Sequence, residues 1–278
     1  MRRNRWLIAV VLVVLLGGPI WLASRPAPTG PAEGTSLEGE VTRPAQDGPA
    51  PRAGAAARFR IGTFNVHGCK GADGRRDVAR VAECLRDLDF VGLNEVHGAR
   101  PWERLDQAGQ LGVCLGLAWL FAPNTRTWCC LDSGNGLLSA LPVAFWQRIP
   151  LAHRSDRGYR NAVLAGLRQR DRTVRVLLTH VTRHDDRSRR QQLRAIADLY
   201  LSLAEPAILL GDLNSDADDP EIRRLLASPG VVDAVGRVLG PRTPPRIDWI
   251  FVRGLRCVDA AVRDAGASDH PLFWAELE

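Results

Sequence analysis

Short apolar runs that stop at polar residues constrain this chain most. Residues 59–66 alternate like a strand and carry Asn65 near their end. Residues 90–93 end at Asn94-Glu95, residues 173–179 end at His180, and residues 207–210 end at Gly211-Asp212, with Asn214 just beyond. Residues 246–252 form a strand carrying Asp248, and Asp269-His270 stand before a closing strand at 272–277. Apolar runs this short, bounded by turn residues, have the length of buried strands. A polar residue at each end implies that the strand ends converge at one edge of a packed structure. There, residues distant in sequence form one rigid site.

Two helices separate these strands. Residues 77–88 place Val78, Val81, Ala82 and Leu85 on one face and Arg80, Arg86 and Asp87 on the other. Residues 189–203 form the second amphipathic helix, and residues 136–146 and 162–167 are further strands. Two packed sheets with flanking helices would bury such a set. The chain has 278 residues, enough for one such domain plus one hydrophobic segment. An apolar fraction of 45% with 24% charged excludes a mainly disordered or fibrous chain.

The N-terminus predicts export. Arg2, Arg3 and Arg5 precede an uncharged stretch at 6–24, long enough to span a bilayer as a helix. Cations before the span favour a cytoplasmic N-terminus. Residues 1–24 are therefore read as a single-pass membrane anchor with the domain outside the cytoplasm. The alternative is a cleaved signal peptide and a secreted protein, although no clean Ala-x-Ala site follows. Residues 25–57, rich in Pro and Gly, are expected to be a disordered linker, and the domain is expected to fill 58–278. Export would permit disulfides among the six cysteines. The absence of any C-x-x-C pair argues against a cysteine zinc site.

Phosphate ester hydrolysis needs a hard divalent cation, an oriented water and stabilised charge. Mg²⁺ prefers oxygen ligands, which suits Glu95. Asp212, after a glycine turn, could act on water. His180 and His270 could donate to phosphate oxygens if protonated, and a contacting Asp would raise their pKa.

Six segments occur in order: Thr63-Phe64-Asn65-Val66, Leu93-Asn94-Glu95-Val96, Leu178-Thr179-His180, Gly211-Asp212-Leu213-Asn214, Arg246-Ile247-Asp248-Trp249-Ile250 and Ser268-Asp269-His270-Pro271. From residue 58 onward the set resembles the endonuclease/exonuclease/phosphatase family. The resemblance implies an α+β, DNase I-like fold: a four-layer α/β sandwich of two mixed β-sheets flanked by helices. It implies a phosphoric ester hydrolase using Mg²⁺ or Mn²⁺, with in-line water attack, inversion at phosphorus and no covalent intermediate. Glu95 would be the main metal ligand, with Asn65 and Asp269 on the metal side. Asp212 would align or deprotonate the water, Asn214 would hold water or substrate, and His180 and His270 would bracket the phosphate. Asp248 would orient a histidine; either remains open. Asn94 stands where the family usually has Gln, and Ala140 where Arg is common. Arg160 is therefore the candidate cation for substrate binding.

The expected substrate is a phosphate ester, nucleic acid or phospholipid, with an endonuclease-type diesterase placed first. A sphingomyelinase-like or phosphomonoesterase activity is the alternative within the class. A catalytically inactive, membrane-tethered binding module would lack Glu95, Asp212 or His270, and none is missing. An unrelated zinc hydrolase would need three close His or Cys ligands. No protein partner is expected. His67, His97, His153 and His184 are read as structural, with His67 the candidate exception because it adjoins Asn65. Arg187, Arg189, Arg190 and Arg194 are read as a solvated helix face, with a substrate-facing basic patch as the alternative.

Overall fold

A computed structural model describes residues 27–43, 58–126, 132–152 and 159–278. The 6–24 span, residues 44–57, Cys129, Cys130 and His153 lie outside the described residues. Among the described residues, no helix is long and apolar enough to cross a membrane.

The strands are β1 (Ala27–Pro28), β2 (Ala32–Gly34), β3 (Phe59–Asn65), β4 (Phe90–His97) and β5 (Ala118–Pro123). They continue with β6 (Thr125–Arg126), β7 (Ser133–Ser139), β8 (Val143–Leu151), β9 (Arg160–Gln169) and β10 (Arg172–His180). The last are β11 (Ala207–Asp212), β12 (Val232–Asp233), β13 (Asp248–Arg253), β14 (Cys257–Arg263) and β15 (Leu272–Leu277). The helices are α1 (Val78–Leu85), α2 (Gln107–Leu115), α3 (Asp186–Ser202), α4 (Pro220–Ala227) and α5 (Ala234–Leu239). A six-stranded sheet runs β14-β15-β3-β4-β7-β5, and a seven-stranded sheet runs β12-β13-β11-β10-β9-β8-β2. Both are mixed: β3 is parallel to β4 and β10 to β11, while the other pairings are antiparallel.

The sheets pack face to face. Ile61, Phe90 and Leu137 from one meet Val176, Leu178, Ile208, Leu210 and Ile250 from the other. Outside the six-stranded sheet, Val81 and Leu85 of α1 and Leu111 of α2 cover Val91, Leu93 and Leu138. Outside the seven-stranded sheet, Leu193, Ile196 and Tyr200 of α3 and Ile222 and Leu225 of α4 cover Leu177, Leu209 and Phe251. This makes four layers, as expected. The central strands are apolar on both faces because both are covered, so Leu209 meets helices while Leu210 meets the opposite sheet. Each such leucine contributes about 1.5–3 kcal/mol on burial. Exposed ion pairs contribute about 0–1 kcal/mol, so the apolar layers decide the fold.

The 25–57 stretch departs from its reading as a linker. Within it, β2 pairs with the edge strand β8, β1 pairs with β6, and Glu38 exchanges backbone hydrogen bonds with Trp119. Arg43 donates through Nη1 to the Leu88 carbonyl at 2.8 Å. Edge strands offer unpaired backbone that a Pro-containing segment can still satisfy. Gly34 lets the Trp146 ring approach, since a Cβ there would lie 2.6 Å from Trp146 Nε1, and that nitrogen donates to the Ser36 carbonyl at 3.0 Å. Residues 27–43 thus belong to the domain's surface, and the start drawn at residue 58 is too late.

The single strand expected at 136–146 divides into β7 and β8 around Pro142. Helix α2 escaped the periodicity because its inward positions include glycines: a Cβ on Gly112 would lie 2.5 Å from the Trp119 ring. Asp106 caps it, accepting from Gly109 N–H at 2.9 Å, and Gly116 ends it at φ +64°. Cys69, Cys84, Cys114 and Cys257 are free thiols, so none of these four realises the disulfides that export would permit.

Candidate active site

Register brings the strand ends together. Across the seven-stranded sheet, His180 is the cross-strand partner of Asp212, and Asp212 of Asp248. Across the six-stranded sheet, Asn65 partners Asn94. The two rows face each other at one edge of the sandwich, where Asn65 Nδ2 donates to Asp212 Oδ2 at 3.0 Å.

Local backbone makes this possible. Gly211 sits at φ +136°, and a Cβ there would overlap the Thr179 carbonyl oxygen of the neighbouring strand. Glu95 (φ +56°) lies where the β4–β7 register shifts between Leu93 and Val96, and Asn214 (φ +48°) follows β11. Left-handed backbone at non-glycine residues is strained and concentrates at functional positions. The bulge separates two roles: Asn94 is fully buried, whereas Glu95 keeps partial exposure.

A chain of amides fixes Asp212. Asn161 accepts from Asn135 Nδ2 at 2.9 Å, Asn135 Oδ1 accepts from Asn94 Nδ2 at 2.8 Å, and Asn94 Oδ1 accepts from Asp212 N–H at 2.9 Å. Asn214 N–H donates to Asp212 Oδ1 at 2.9 Å, and Asn214 Nδ2 to the Val181 carbonyl at 2.8 Å. Sequence reasoning did not assign Asn135 and Asn161 a role. Their signal was their place within Gly134-Asn135-Gly136 and beside Arg160.

Two imidazoles flank the Asp212 carboxylate: His180 Nε2 lies 3.4 Å from Oδ2, and His270 Nε2 lies 3.9 Å from it. His270 Nδ1 is 2.8 Å from Asp248 Oδ2. The histidine that Asp248 orients is therefore His270. Asp269, 60% exposed at its side chain, faces His67 Nδ1 at 3.3 Å. Ser268 Oγ donates to the Asn65 carbonyl at 2.7 Å, which ties this rim to the Asn65 side. His67 is thus part of the site's edge, whereas His97 packs over Gly68 and His184 is exposed. Arg160 stands near enough for the charges of Glu95 and Asp212 to bear on it, and its buried Nε has no hydrogen-bond partner.

The electrostatics divide the two histidines. Burial pushes His180 well below its ordinary pKa, and the charges of Arg160, His270 and Arg183 reinforce the shift. It is held neutral and can donate one N–H, unlike the protonated form expected from sequence. Burial also pulls His270 down, but the hydrogen bond and charge of Asp248, with Asp212 and Asp269 beyond, carry it up to about 9. Asp212 is raised, first by burial and then by Asp248, against the opposing pull of His270, Asn214 N–H and Asn65. One group thus holds a proton readily and its neighbour carries positive charge, the distribution that acid–base chemistry needs.

Asp248→Asn tests this arrangement in metal-free protein. A histidine raised on folding contributes stability below its unfolded pKa of about 6.5, and loses it as pH rises through the folded value. The variant is expected to be less stable than wild type below about pH 6.5. That difference should close by about pH 9. NMR of the His270 ring nitrogens should show its titration moving down, and an unchanged midpoint would overturn the pairing.

Among the described residues, one group of metal-capable side chains has its donor atoms mutually within 4.8 Å: Asp212, Asp248 and His270. Its imidazole Nδ1 is already bonded to Asp248 and its Asp212 oxygens accept from Asn65 and Asn214, so it is arranged to move protons. Glu95 differs, since neither a hydrogen bond nor an ion pair among the described residues engages its carboxylate. Its carboxylate oxygens are the kind a hard cation prefers, whereas Asn65 is bonded to Asp212 and His67 N–H, and Asp269 faces His67.

Comparisons with known proteins bear on the same region. The model of the Endonuclease/Exonuclease/phosphatase family matches residues 62–270. A structure described as an endonuclease/exonuclease/phosphatase from Beutenbergia cavernae DSM 12333 is 23% identical, covers 80% of this chain and 71% of its own, and superposes with a TM-score of 0.64. One from Bacteroides vulgatus is 18% identical, with 80% and 99% covered and a TM-score of 0.64. D. rerio TDP2 complexed with single strand DNA product is 18% identical, with 80% and 99% covered and a TM-score of 0.60. At these identities the likeness is one of fold. No curated protein matches the chain.

Proposed function

Because the chain belongs to the endonuclease/exonuclease/phosphatase family, we propose that it is a divalent-metal-dependent phosphodiesterase of the endonuclease type. The observation that carries this reading is the Asp248–His270 pair set against Asp212, itself flanked by His180 and faced by Asn65. Arg160, with its buried and unpartnered Nε, binds a phosphate oxygen. Asp212 takes the proton of the attacking water, its carboxylate held by Asn65 and Asn214. His270, kept protonated by Asp248, donates to a non-bridging oxygen, and neutral His180 donates its single N–H. Glu95, with Asn65 and Asp269, would hold Mg²⁺ or Mn²⁺, which would supply charge neutralisation at phosphorus.

Export is part of the same proposal. The uncharged 6–24 stretch behind three arginines supports a membrane anchor with the domain outside the cytoplasm, or a secreted product; protease added to intact cells checks that topology. A phospholipid diester is the second reading, supported by the same stretch, which would hold the site beside a bilayer.

The test is hydrolysis by purified full-length protein of single-stranded and supercoiled DNA, sphingomyelin, phosphoinositides and bis-p-nitrophenyl phosphate, with Mg²⁺, Mn²⁺ or EDTA. DNA turnover that EDTA abolishes is the expected result, and His270→Ala should lower it about 10²–10⁴-fold. A folded, metal-supplied protein that turns over no ester would sink the reading. Preference for sphingomyelin would replace the nuclease with the lipid enzyme.

A further inference from the structure

Helix α3 carries a set of cations that the site's own chemistry does not use. Arg187, Arg190 and Arg194 are exposed, and with Gln191 they line one groove of about 520 Å³, closed on its other side by Asp219, Pro220 and Glu221. Positions i, i+3 and i+7 share one helical face and span about 10 Å along the axis. None of the three guanidiniums is in a hydrogen bond or ion pair among the described residues.

The neighbouring carboxylates are engaged elsewhere. Asp186 pairs with Arg189 at 2.8 Å, Asp198 with Arg224 at 2.6 Å, and Glu221 with Arg224 at 2.8 Å. Asp219 accepts from Glu221 N–H at 2.9 Å and Ser215 Oγ at 3.1 Å. Asp186 and Asp198 stand four residues from Arg190 and Arg194, but each pairs with another arginine. The three guanidiniums are left able to meet an external anion, although Asp219 and Glu221 stand on the groove's other side.

The two helices that line the groove each follow a strand that ends at a site residue, α3 after His180 and α4 after Asp212. Arg183, exposed, lies between His180 and the start of α3, and its charge bears on both His180 and Arg160. In sequence, Arg183 thus stands between the site and the three arginines of α3. A polynucleotide strand presents more than one phosphate over 10 Å or so. A lipid surface would need apolar side chains beside the cations, and the groove's exposed wall offers Arg, Gln, Asp, Pro and Glu.

We propose that the α3 groove is an exosite that holds backbone phosphates of a single nucleic-acid strand flanking the phosphate to be cut. This rests on the phosphodiesterase reading above and names its substrate as a polymer.

The experiment compares full-length wild type with Arg187→Gln/Arg190→Gln/Arg194→Gln and the corresponding triple Lys variant. Each is given a fluorescent single-stranded 20-mer or bis-p-nitrophenyl phosphate in Mn²⁺ at several salt concentrations. The Gln variant is expected to raise KM for the strand at least about tenfold with kcat unchanged, and to lessen the slope of log KM against log salt by about 2. Its turnover of the small diester should match wild type, and the Lys variant should keep the wild-type slope. Strand cleavage by wild type with the same KM and slope in the Gln variant overturns the exosite and leaves the phosphodiesterase standing. Loss of anionic-vesicle binding without loss of strand affinity overturns it in favour of a lipid contact. A wild type that turns over neither substrate overturns the parent reading and the exosite together.

Discussion

Asp212→Asn is expected to lower kcat about 10³-fold without unfolding the protein, the middle of the range for a lost general base. The amide is isosteric and can still accept from Asn214 N–H, so the backbone after β11 keeps its anchor. What disappears is the oxygen that faces Asn65 Nδ2, His180 Nε2 and His270 Nε2 together. Stability should respond in the opposite direction to activity. Asp212 is raised by burial and by Asp248. A raised carboxyl contributes its stability at low pH and loses it as pH rises from the ordinary carboxyl range through the folded value. Asparagine carries no charge to desolvate, so the variant's thermal midpoint at pH 8 should equal or exceed that of wild type. Single-turnover kinetics and thermal unfolding on the same preparation check both halves. Wild-type kcat in the variant would remove Asp212 from its role.

The convergence of the candidate residues was legible in sequence because β-sheet geometry makes strand ends meaningful. His180, Asp212 and Asp248 each close or open a strand of one sheet, and pairing in register sets them side by side. On the facing sheet Asn65 closes β3 and pairs with Asn94, while Glu95 sits at the bulge inside β4. What sequence could not give is which histidine Asp248 meets. That depends on how the segment after β14 folds back to present His270, and no local pattern encodes it. Neither could composition locate the support. Asn94, Asn135 and Asn161 are apart in sequence and meet only when the two sheets stack. The layers were readable from continuous apolar runs such as 207–210, buried on both faces. Helix α2 and residues 27–43 were not. The first packs through glycines against Trp119 rather than through an apolar stripe. The second is held by edge pairing, a backbone interaction to which side-chain patterning is nearly blind.

Gly211→Ala should destabilise the fold by more than about 3 kcal/mol, beyond the range of most single substitutions. Two penalties act together. At φ +136° a side chain is disfavoured whatever surrounds it. The added methyl would also enter the Thr179 carbonyl, which is backbone and cannot rotate aside. That carbonyl accepts from Asn94 Nδ2 at 3.1 Å, and Asn94 in turn holds Asp212 N–H, so moving it dismantles the support of the carboxylate. The change should therefore reduce activity even in whatever fraction remains folded. Gly240→Ala supplies the control. Gly240 also has positive φ, +54°, but nothing lies within 4 Å of its added Cβ, so only backbone strain of about 1–3 kcal/mol is expected. Urea midpoints for the two variants separate the contributions. A Gly211→Ala variant no less stable than Gly240→Ala would mean that β10 and β11 can part at the site, and that Asp212 is held less rigidly than its five hydrogen-bonding and ionic neighbours imply.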